Sequence, residues 1–100
     1  MASWGDVQVY SEMIDDLGAF CKSIEEAVDV MDVAATTCKD NMENDESSQK
    51  AAANVKKSEK LYLEAAKMAA QLAKELQEEQ QALIEYLRQL DSMGDSGSGE

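Results

Sequence analysis

The sequence predicts an all-α protein: an antiparallel two-helix hairpin, with helices over about 4–40 and 47–93, that assembles into a four-helix bundle. Three observations lead there. The 100-residue chain has no proline and draws heavily on Ala, Glu, Gln, Lys, Leu and Met, which lose little in a helix. Apolar side chains recur at heptad spacing through two long segments, the signature of helices with one greasy face. A single polar run near the midpoint separates those segments.

Residues 1–6 form a lead-in, and Ser3-x-x-Asp6 approximates a capping box. With Tyr10 set as position a, the first helix places Tyr10, Leu17, Ile24, Met31 and Cys38 at a. Met13, Phe20, Ala27 and Ala34 fall at d, and Ile14, Cys21, Val28 and Ala35 at e. All of these are apolar, while b, c and f are mostly charged or hydroxylic. The pattern fails at residues 40–48, where acids, Asn and Ser surround one methionine. A turn is expected at about 41–46, with Asn44, Asp45 or Ser47 able to cap the second helix.

The second helix, with Val55 at a, carries Val55, Tyr62, Ala69, Leu76, Leu83 and Leu90 on that row. Position d runs Ala51, Ser58, Ala65, Leu72, Glu79, Tyr86, Met93, and e adds Ala52, Ala66, Ala73 and Leu87. Gly94 offers a C-terminal stop. The expected organisation is a hairpin domain over 1–94 and a flexible tail over 95–100.

A short turn between two such helices folds them antiparallel. Folding at 43–44 sets residue i against roughly 87 − i. Phe20 is then expected to face Ala65 and Ala66, Leu17 to face Ala69, and Tyr62 to lie beside Ile24. Charge agrees with this register. Residues 1–46 hold 12 acidic and 2 basic residues, whereas residues 47–74 hold 6 lysines and 2 glutamates. Glu25, Glu26, Asp29 and Asp32 are expected near Lys56, Lys57 and Lys60. Two helices cannot cover a/d/e stripes on their own, and small scaffolds often gain stability by oligomerising. The second helix is also the longer, so residues 84–93 are expected to overhang without an intramolecular partner. Ile84, Tyr86, Leu87, Leu90, Asp91 and Met93 are therefore the candidate partner-binding residues, since exposed apolar patches mark contact sites.

Composition narrows the chemistry. The chain has no histidine, the commonest general base and metal ligand. Two cysteines cannot build a four-ligand zinc site. On one helix, Cys21 and Cys38 would stand about 25 Å apart, too far for a disulfide. A net charge of −12 opposes nucleic-acid binding. The acidic turn lacks the ligand spacing of a calcium loop, and no Gly-rich phosphate loop is present. No apolar run reaches the ~20 residues of a membrane span, and the first ten residues do not read as a signal peptide. The expectation is a protein without catalytic residues, metal or cofactor.

The layout resembles the small WXG-type proteins of type VII secretion. These are helical hairpins of about this length, exported without a cleaved signal peptide and usually dimeric. Their Trp-x-Gly motif lies at the turn, whereas here Trp4-Gly5 lies at the N-terminus. Their export signal, Tyr-x-x-x-Asp/Glu, is approximated by Tyr86 with Asp91, one position late. The resemblance implies a secretion-linked partner or targeting hairpin. Its partner would be a second copy, a similar hairpin or a larger secreted effector. Its location would be cytoplasmic, or extracellular after export. The alternative is a structural coiled-coil subunit of an unrelated cytoplasmic complex.

Overall fold

Helix α1 spans Trp4–Asn41 and helix α2 spans Glu46–Ser98. The computed structural model describes residues 2–41 and 46–98, with side chains for 2–40 and 46–94. Most of the expected turn falls on 42–45, outside the described residues. Contacts on either side of it run antiparallel, so the chain doubles back as the polar run requires.

The start of α1 shows the carboxylate arm of the capping box. Ser3 N–H donates to Asp6 Oδ2 at 2.8 Å, and Asp6 N–H donates to Ser3 O at 3.0 Å. At its other end α2 differs from expectation. It runs through Gly94 to Ser98 rather than stopping at 93, and so takes in part of the expected tail. Among the described residues no glycine has positive φ, so Gly94 does not adopt the left-handed stop. That stop is secured by an apolar contact from the next residue, and here the next residue is Asp95.

Cross-helix hydrogen bonds give the register. Near the turn, the Cys38 thiol donates to Ser48 O at 3.5 Å. Midway, the Cys21 thiol donates to Ala66 O at 3.5 Å. Farther out, Gln80 Nε2 donates to Val7 O at 2.9 Å and to Ser11 Oγ at 2.7 Å. At the open end, Trp4 Nε1 donates to Asp91 Oδ2 at 3.2 Å. These pairings agree with the fold at 43–44, with α2 advancing a few residues toward the open end. Of the expected ion pairs, Asp32–Lys56 forms at 3.0 Å. Glu25, Glu26, Asp29, Lys57 and Lys60 stay in solvent.

The hairpin is a rod of 84 × 16 × 14 Å with a radius of gyration of 23.1 Å. A compact domain of this length would have about 13 Å. Its core is thin: Ile24, Ala35, Ala52, Ala69 and Leu87 are the buried apolar residues among those described. All five belong to rows a and e. The same rows stay inward from one end to the other, which requires the two helices to supercoil left-handed.

Candidate interaction surface

The seam buries two of the three apolar rows. Row d, which the sequence assigns to the same stripe, is left largely outside. Phe20 is 48% exposed, and Met13, Leu72, Tyr86 and Met93 are exposed as well. Phe20 is thus only partly covered, and its neighbour Cys21 is the residue whose thiol reaches Ala66 O. Tyr62, although at a, is also exposed. Row e faces inward instead, with Ala35, Ala52 and Leu87 buried and Ile14, Cys21, Val28, Ala66 and Ala73 half-buried.

Helix geometry then gives the hairpin two unlike flanks. Each residue advances 100°, so d lies about 60° to one side of a, and b about 100° to the other. In an antiparallel pair, both d rows emerge on one flank and both b rows on the opposite one. Polar bonds across the seam mark the b flank. Trp4–Asp91 and Asp32–Lys56 each join b to b, and Ser11 at b takes the Gln80 amide.

The d flank, with row g beside it, is apolar. It holds nine of the fourteen exposed large apolar side chains among the described residues, including Val9, Met13, Phe20 and Val30 from α1 and Leu61, Met68 and Leu72 from α2. Its charged members within residues 9–37 and 51–93 are Asp16, Glu75 and Glu79, all near the open end. There Tyr10 Oη donates to Glu79 Oε2 at 3.2 Å. The tyrosine pKa is raised by desolvation first, then by the hydrogen bond and charge of Glu79, with Asp6 adding to it.

The sequence-predicted partner residues divide. Leu87 is 5% exposed and belongs to the core, and Ile84 is half-buried against α1. Asp91 is engaged by Trp4. The segment from 84 to 91 therefore does not overhang: α1 begins early enough, at Trp4, to cover it. Tyr86, Leu90 and Met93 remain exposed. Tyr86 and Met93 lie on row d and extend the apolar flank. Sequence reasoning missed Phe20, Leu61, Met68 and Leu72 as surface residues.

Among the described residues, no His, Cys, Asp and Glu group is placed to hold a metal ion. No helix among them is long and apolar enough to cross a membrane. A shallow groove beside the turn is lined by Lys39, Ser48, Gln49, Ala52, Ala53 and Lys56. No family model matches the chain, and neither a curated protein nor a solved structure matches it.

Proposed function

We propose that the protein is a non-enzymatic interaction hairpin that docks through its d/g flank onto a second copy of itself, forming a four-helix bundle that serves a type VII-like secretion system. The exposed apolar flank carries this reading. The accessible surface is 7509 Å², against about 5,600 Å² for a compact protein of this mass. The excess of about 1,900 Å² exceeds the ~1,000 Å² per protomer of a stable homodimer. An antiparallel arrangement, with turns at opposite ends, fits the residues. It sets the acidic open end, with Asp16, Glu75 and Glu79, against the uncharged turn-proximal half. It also sets Leu72 and Met13 against small residues such as Ala27, Ala34 and Ser58. The secretion setting is supported by length, hairpin layout and the Tyr86–Asp91 segment.

Light scattering with cysteine cross-linking tests the docking. With Cys21 and Cys38 changed to Ser, Phe20→Cys is expected to link to its twin near the two-fold axis, whereas Val9→Cys and Thr37→Cys are not. Phe20→Ser with Leu72→Ser is expected to yield helical monomers. A wild-type monomer at 100 µM, on the order of the weakest useful dimer, would overturn the choice of occupant. Export or partner capture that survives Tyr86→Ser with Leu90→Ser would remove the role assigned to the open end.

A further inference from the structure

Two charged stripes point away from the seam, on opposite sides of the rod. Rows c and f lie about 160° and 140° from row a, on the far side of each helix. Over residues 8–36 of α1 these rows carry 4 acids, Glu12, Asp15, Glu26 and Asp29, and 1 base, Lys22. Over residues 50–78 of α2 they carry 5 lysines and 2 glutamates. The two stretches thus hold −3 and +3, equal and opposite, within a chain of −12. All of these side chains are exposed. Among the described residues, Lys57, Lys60, Lys67 and Lys74 form no ion pair within the chain. The acidic helix beside them leaves them unneutralised, because the two stripes face apart.

The signs also match level by level. Inside the hairpin, residue i stands level with about 86 − i, as Cys38 does with Ser48, and within one residue as Cys21 does with Ala66. A second copy displaced purely sideways, in the same orientation, sets α1 of one chain against α2 of the other at these same levels, and row c then meets row f. Asp29 meets Lys57, Glu26 meets Lys60, and Glu12 meets Lys74. Lys22, the base of the acidic stripe, meets Glu64, the acid that interrupts the lysines. No like charges oppose each other over 8–36 and 50–78. Beyond them Asp40 falls opposite Glu46, and there Lys50 lies 3.5 Å from the Glu46 carboxylate. We propose that hairpins associate side by side through these stripes, α2 of one copy against α1 of the next, all pointing the same way. The inverted Glu64–Lys22 pair is what selects a second copy. A uniformly anionic surface, such as nucleic acid or an acidic membrane, would meet Glu64 in the middle of the stripe. Complementary charge gives register and specificity more than affinity, and unlike faces related by translation extend into an open row rather than a closed ring. Rows c and f are not the d/g flank, so the contact stands whether or not that flank docks.

Charge reversal, read by sedimentation equilibrium of the full chain at about 1 mM protein, tests it. At about 0.1 M salt the screening length is about 10 Å, so distant repulsion between acidic chains is damped while facing charges still attract. At about 1 M it is about 3 Å, and the ionic contact is lost, whereas apolar docking survives. The weight-average mass of wild type is expected to be about twofold higher at the lower salt. Lys60→Glu with Lys74→Glu should abolish that excess. Glu12→Lys with Glu26→Lys should abolish it too, although this second variant carries less net charge than wild type and repels itself less. All four sites are exposed, and circular dichroism should show unchanged helicity. An equimolar mixture of the two variants should regain the excess, because each reversed stripe now faces its complement. A wild-type mass that is the same at both salts overturns the proposal. So does a mixture that stays at the level of the separate variants, or a variant that associates alone as wild type does.

Discussion

Leu87→Ala separates a closed open end from an overhanging one. Leu87 sits at e, is 5% exposed, and lies beside the half-buried Ile84 and Leu83. Truncating a buried leucine costs about 2–5 kcal/mol, and sites that can collapse fall at the low end. A rod 16 Å wide collapses easily, so about 2–3 kcal/mol is expected. For a domain of this length that lowers Tm by roughly 10–20 °C. Leu90 is 41% exposed, and Leu90→Ala should cost no more than about 0.5 kcal/mol. Circular dichroism melts of both variants give the comparison. Trp4 is the single tryptophan and donates to Asp91, so its fluorescence reports the open end directly. It should change at lower temperature than the helix signal in Leu87→Ala and not in Leu90→Ala. Equal and small losses in the two variants would mean that residues 84–91 do not pack against α1.

Two further outcomes rest on single residues. Gly18 lies on the exposed b row, and a Cβ there meets nothing within 4 Å; Gly18→Ala should stabilise the hairpin by about 0.5–1 kcal/mol in urea titration, and a loss would imply a close neighbour at that site. Tyr10 has a raised pKa, so the unfolded chain loses this proton first. The associated stability is present below about pH 10 and is lost as pH rises through the folded value. In an absorbance titration at 295 nm, Tyr10→Phe should remove an ionisation displaced above the ordinary tyrosine value.

Much of this architecture is legible in residue order. The missing proline, the two heptad runs and the polar break give two helices and their reversal. Opposed charge on residues 1–46 and 47–74 gives the direction of pairing, and Asp32–Lys56 realises it. The seam is harder to read. Rows a, d and e are all apolar in α1, and hydrophobicity cannot say which two go inside. Small residues do not decide it either, because row d holds Ala27, Ala34, Ala51 and Ala65, as many alanines as the Ala35, Ala52, Ala66 and Ala73 of row e. Leu87 is hard to place for a related reason. Counting residues in each helix suggests an excess at the end of α2, but the excess lies beyond Asp91, because α1 starts at Trp4 and α2 runs to Ser98.

The polar bonds explain why the d row, rather than another, is left over. Trp4–Asp91, Ser11–Gln80 and Asp32–Lys56 all close the seam on its b side. Turning either helix to bring Phe20 or Leu72 inward would carry the b rows away from each other and break these bonds together. Each exposed bond contributes little by itself. Their common side makes the contributions add against one particular motion, while Tyr10–Glu79 joins the helices on the d side near the open end. Polar residues at b therefore help to fix the rotation of the two helices. Together they hold an apolar face outward along the rod. Phe20, Leu61 and Met68 stand exposed together on that flank, and this is the arrangement on which the proposed docking rests.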